Sequence, residues 1–205
     1  MRSMPRTATR SGRISLVTVL TRPRQLANSD WKVSLNANTK LKAIQAVEQS
    51  VRLAFAGVTL EDGVGLMQGL EIDSYAGADA EAAARETDEK EDWTRIQVEV
   101  LNGAATSPCY FDAKGMRFHL PAYLIADLRG LLTQDIRFDL NTRGLDDRYS
   151  LLTAAQREAV RRFLVLQLDL LPEPNLQFEG KTMRASVDGY WAHEHPLNAS
   201  ESLIL

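Results

Sequence analysis

A single cysteine, Cys109, stands in a chain of 205 residues, so no disulfide can form within it. The fold has to stand without staples, and the expected compartment is a reducing one, the cytoplasm. A lone cysteine reads first as a small buried hydrophobe rather than a nucleophile. Nor is there a run of roughly 18 to 20 apolar residues, the length that spans a bilayer. The longest candidate, Leu164 to Leu171, is broken by Gln167 and Asp169. Reactive motifs are missing too: no G-x-S-x-G elbow, no G-x-x-x-x-G-K-[ST] loop and no H-E-x-x-H pair. Their absence argues against hydrolase, P-loop and zincin chemistry. Gly63, Gly65 and Gly69 do not have dinucleotide-fingerprint spacing and come after no strand, so they read as points of close packing or a break. No cofactor and no catalytic residue is expected.

What is present is an ordinary globular composition, 44% apolar and 25% charged, which excludes a wholly disordered chain. The net charge of -3 is not that of a nucleic-acid-binding surface. The charge is unevenly spread, however. Residues 1–42 hold nine basic residues and one acid, and the rest carries 15 basic against 26 acidic. Residues 1–38 therefore read as a basic tail, either a solvated disordered extension or an upstream start, with Met4 as another start. A transit peptide and an arm for nucleic acid or a membrane surface are the alternatives. The arm lacks any aromatic before Trp31 for base stacking. A globular domain is expected over 39–195 and a frayed end over 196–205.

Within that domain, Leu41, Ile44, Val47, Val51 and Phe55 recur at helical steps, and Gly57 suits a C-terminal cap. A second helix is expected from Leu60, with Thr59 and Asp62 at capping-box spacing. Residues 76–92 are acidic and alanine-rich, which suits a solvated helix or loop, not a calcium loop. Ile96, Val98 and Val100 alternate as a short strand would. Asp112-Ala113-Lys114-Gly115, flanked by Cys109-Tyr110-Phe111 and Met116-Arg117-Phe118-His119, reads as a β-hairpin turn. Pro121 then opens a helix with Leu124, Leu128, Leu131 and Leu132 inward. Residues 133–150 read as polar and irregular apart from Ile136-Arg137-Phe138. The last long helix runs from about Ala154 to Leu171, started by Thr153 and Gln156 and stopped by Pro172 and Pro174. Asp188 to His195 reads as a short amphipathic piece. The expected fold class is α+β, mostly α, a helical domain with a small antiparallel β-hairpin or sheet.

The segment Phe111-Asp112-Ala113-Lys114-Gly115-Met116-Arg117-Phe118-His119-Leu120-Pro121-Ala122-Tyr123-Leu124 resembles the core signature of a bacterial domain-of-unknown-function family. Gly57 to Asp62, the acidic stretch with Trp93 and the helix from Leu152 to Leu164 extend the resemblance over roughly residues 40–170. It implies a small bacterial domain and supplies no catalytic residue.

Asp112, Arg117, His119 and Tyr123 are the candidate binding residues, a small polar site for an anion or a partner's carboxylate. The competing role is structural, with Asp112 capping its own turn and Arg117 in an ion pair. His193-Glu194-His195 suggests a metal, but on a helix residues two apart diverge by roughly 200°. A Cys109–His119 dyad is disfavoured by the apolar surroundings of the thiol. The function expected is therefore a non-catalytic, protein-binding domain of a regulatory or immunity type. Its acidic face, residues 61–99 with 12 acids and 3 basic residues, would meet the partner. An enzyme using Asp112 to Tyr123 and a nucleic-acid-associated protein acting through the tail are the alternatives.

Overall fold

The computed structural model describes residues 28–141, 147–172 and 175–192. Most of the expected tail, the residues past Ala192 and the His193-Glu194-His195 motif lie outside them. From Asn38 onward the described residues belong to one compact unit. No strand occurs among the described residues.

Helix α1 (Asn28–Ala54) turns Val51 fully inward, with Phe55 buried just past its end, while Leu41 stays half exposed. Gly57, at φ +72°, ends the turn behind it in the left-handed conformation expected of a cap. The next helix, α2 (Leu66–Asp73), starts later than the capping-box spacing suggests. Helix α3 (Ala78–Thr87) packs on α2 and buries no residue fully. A single turn carries buried Trp93, whose indole N–H donates to the Phe55 carbonyl at 2.8 Å. The expected strand at 96–101 is instead α4 (Val98–Gly103), which buries Leu101 and leaves Val100 out.

The expected hairpin is also a helix, so the α+β expectation is corrected to an all-helical fold over the described residues. Helix α5 (Ala113–Leu128) begins at the expected turn and runs straight through Pro121. The physical reason is that Asp-x-x-Gly serves two motifs. An aspartate opening a type I turn and one capping a helix both offer a carboxylate to N–H groups two or three residues on. The residues after the aspartate decide between the two. Positions 113–128 contain one β-branched residue, Ile125, among alanine, leucine, methionine, lysine and arginine, which favour helix. Pro121 costs the Arg117 carbonyl its donor, yet burial outweighs that loss: twelve of the sixteen residues are buried. A helix apolar on every side is a core helix, and the Trp93 turn, the Asp147–Tyr149 turn and α6 pack against it.

Helix α6 (Ile136–Asn141) gives Ile136 and Leu140 to the core from a stretch that reads as irregular. Helix α7 (Ala154–Leu170) has its expected start, with Gln156 N–H donating to Thr153 Oγ1 and Thr153 N–H to Gln156 Oε1. Helix α8 (Asn175–Asp188) packs on α7 and buries Met183 and Val187, with Trp191 just beyond. Arg157 of α7, itself buried, lies over the rings of Tyr190 and Trp191 at 4.4 and 5.2 Å and donates to the Tyr190 carbonyl. That cation–π clasp fixes the end of α8 to α7. No described helix is long and apolar enough to cross a membrane.

Candidate functional site

The signature segment supplies the cap and residues 113–124 of α5, and most of its polar groups are spent on neighbours. Asp112, extended at φ -76° and ψ -179°, caps the helix: its Oδ1 accepts from Gly115 N–H at 2.8 Å. The same oxygen accepts from Val64 N–H at 2.9 Å, which ties the loop before α2 to the start of α5. That approach needs glycine on both sides. A Cβ on Gly63 would stand 2.5 Å from the Gly115 nitrogen, and one on Gly115 would stand 2.4 Å from the Val64 carbonyl oxygen. Close packing, not a nucleotide, accounts for these glycines.

Arg117 pairs with Glu61, and Lys114 with both Glu61 and Asp62. The Lys114 bond, with the backbone bond behind it, holds the Asp62 carboxyl below its ordinary value. Arg85 reaches from α3 to donate to the carbonyls of Gly63 and Glu61, so the loop is held from both sides. Glu61 adopts φ +54° within it.

His119 is fully buried. It stacks on Phe111 at 4.5 Å and meets Phe118 edge-on, and its Nδ1 lies 2.7 Å from the Gly115 carbonyl oxygen, so that nitrogen carries the proton. Burial drives its pKa down to about 4, against the pull of the Gly115 carbonyl and Asp112. It is a neutral wedge of the core. Tyr123, one helical turn on, is 1% exposed, and burial pushes its phenol well above the ordinary value. Arg117 leaves α5 on roughly the opposite side from His119, since two residues turn a helix by about 200°. The four candidates thus share a helix without converging on one concavity.

Cys109, expected inside, is exposed on the turn Ser107–Cys109, so it forms no dyad with buried His119. Among the described residues no group of three or more histidine, cysteine, aspartate and glutamate side chains is placed to hold a metal ion.

The acidic stretch divides into two kinds of carboxylate. Asp88 is turned inward: it accepts from Met67 N–H at 2.7 Å and Gln68 N–H at 3.3 Å, capping α2 from a distance. Burial outweighs those bonds and lifts its carboxyl above the usual range. Gly65 is required beneath it, because a Cβ there would meet the Asp88 carboxylate at 1.9 Å. Asp92 caps the Trp93 turn through Thr94 N–H at 3.0 Å. By contrast, no described basic side chain pairs with Asp79, Glu81, Glu91 or Glu99.

In the turn between α2 and α3 stands Tyr75, a residue nothing in the sequence singles out. It has φ +56° and is 92% exposed, within a stretch, 74–79, that is exposed throughout. The Tyr110 hydroxyl donates to Asp73 at 2.5 Å; that bond, then burial, pushes the phenol up to about 12, and Tyr75 lies close enough to add to the push.

Residues 44–195 match the model of a family of unknown function, DUF6714. The match runs past the expected extent of 40–170 and takes in α8 and the clasp on Arg157. No curated protein and no solved structure gave a match.

Proposed function

The chain belongs to DUF6714, whose description names no activity, and from its own surface we propose that it is a non-catalytic protein-binding domain of a regulatory or immunity type. It meets a basic partner through the acidic face of α2 and α3. The observation that carries this reading is Tyr75. A large aromatic held in the left-handed region costs conformational free energy, of order 1–2 kcal/mol. That backbone closes α2, with Tyr75 N–H donating to the Ile72 carbonyl and Ala76 N–H to the Glu71 carbonyl, both at 3.1 Å, but the ring takes no part in the cap and is 92% exposed. Glycine would close the helix at less cost, so an exposed tyrosine there is a feature of the surface, and tyrosine is among the commonest anchors of protein interfaces. Asp79 and Glu81, without intramolecular cations among the described residues, add a field that steers a basic surface toward the anchor.

The test is a pull-down from the source organism's lysate with wild-type and Tyr75→Gly baits at low and high salt. The wild type should retain a basic protein that Tyr75→Gly loses although it is equally folded, and retention should weaken as salt rises. Identical retention by the two baits would remove the anchor and with it the proposal.

A further inference from the structure

Ala122 and Ala126 stand one turn apart on α5 and carry nothing beyond Cβ. Across from them lie Trp93, Ile96 and Leu101, and the space between is an open recess of about 250 Å3. Its polar wall atoms are committed elsewhere. The Trp93 indole N–H is bonded to Phe55, and the Thr94 hydroxyl donates to Asp92 at 2.6 Å. Its apolar walls are the side chains of Ile96, Val98, Leu101 and Ile125.

Its mouth is different. Arg52 and Arg129 line it, and they share a single carboxylate, Glu48. Arg52 donates to Glu48 Oε1 through Nε at 3.1 Å and Nη2 at 3.0 Å, while Arg129 engages both carboxylate oxygens. Burial alone would raise Glu48, but the bonds from Arg129 and Arg52 outweigh it and hold the carboxyl below its ordinary value. Two permanent cations against one anion leave an excess positive charge beside an apolar hollow. The five N–H donors of a guanidinium fork leave room for a second carboxylate.

We propose that this recess binds a small amphipathic monocarboxylate, its chain or ring on Ala122 and Ala126 and its carboxylate beside Glu48, on the guanidinium N–H groups that Arg52 and Arg129 do not give to Glu48. The ligand is a free small acid. A cavity of roughly 150 Å3 takes benzene, so this recess suits an acid of about six to eight carbons. The site lies apart from the Tyr75 surface and does not depend on it.

Calorimetric and 1H–15N titration of the full chain with octanoate, octan-1-ol and octylammonium tests the assignment. Octanoate should saturate one site, shifting the amides around Trp93 and Ala126, with octan-1-ol weaker and octylammonium inert. Arg129→Gln, at an exposed position, should weaken octanoate by about ten-fold or more, the loss expected of a charge-assisted bond. Ala126→Leu should fill the hollow and abolish binding; should it fail to fold, Arg52→Gln serves beside Arg129→Gln. Equal affinity for the three probes, octanoate binding unchanged in Arg129→Gln, or no saturable binding to the folded wild type would each overturn the proposal.

Discussion

Val64 donates its backbone N–H to Asp112 Oδ1 at 2.9 Å across 48 positions of sequence. One oxygen therefore both starts the core helix and anchors the loop in front of α2. Asp112→Ala strands the N–H groups of Val64 and Gly115 together, and a loss of about 2–3 kcal/mol is expected, above that of an ordinary cap. Asp112→Asn keeps an acceptor oxygen and should cost less than half as much. Urea unfolding of the two variants checks this, and equal losses would mean that the charge matters rather than the shared acceptor.

Glycine substitutions should split by location. Gly115→Ala drives a Cβ against the Val64 backbone, and a cost of about 3 kcal/mol is expected. Gly103, at the end of α4, has nothing within 4 Å of an added Cβ and no left-handed backbone. Gly103→Ala should stabilise by up to about 1 kcal/mol. Thermal melts that rank the two the other way would refute the tight crossing.

Two buried groups set opposite pH dependences. His119 has a folded pKa of about 4, below the ordinary 6.5. Its contribution is intact above pH 6.5 and is lost as pH falls toward 4. Asp127 is bonded by Gln167, yet burial lifts its carboxyl from 3.8 to about 6. Its contribution is full below pH 3.8 and is lost as pH rises through 6. Between pH 4 and 6 the two slopes oppose each other. Asp127→Asn should be about 1 kcal/mol more stable than wild type at neutral pH, allowing for partial solvent screening. The gap should close on acidification as the His119 slope stands alone. His119→Phe should show the reverse slope. Denaturation midpoints from pH 7 to 4 measure both, and an Asp127→Asn curve parallel to wild type would sink the assignment.

Tyr75→Gly relieves a left-handed backbone at an exposed site, so its melting temperature should match or exceed that of the wild type, by up to about 1 kcal/mol of stability. A clear drop would show that the tyrosine supports the fold, contrary to its role as an anchor.

The helices were legible where one signal sufficed. Thr153 with Gln156, and the apolar steps of 160–164, mark α7 without ambiguity. The start of α5 was not, because its capping aspartate and the glycine three residues on satisfy a hairpin equally well, and Pro121 looks like a beginning from outside. The β-branched alternation of 96–100 misled in the same way, a local preference overridden by burial of Leu101. Helix α8 left a trace in Met183, Val187 and Trp191, four apart, but Gly180 and the polar residues around it dilute the pattern. The candidate site was legible as residue types only. That Asp112, itself exposed, is committed to two backbone N–H groups depends on a loop some fifty residues away, and the φ of Tyr75 has no sequence signal at all.

The amides of Met67 and Gln68 at the start of the eight-residue α2 find their acceptor on Asp88, the residue that ends α3. Those two donors are satisfied only when α3 is in place. In native-state hydrogen exchange these two amides should therefore open in step with α3, as one cooperative unit, and loosening α3 would release them together.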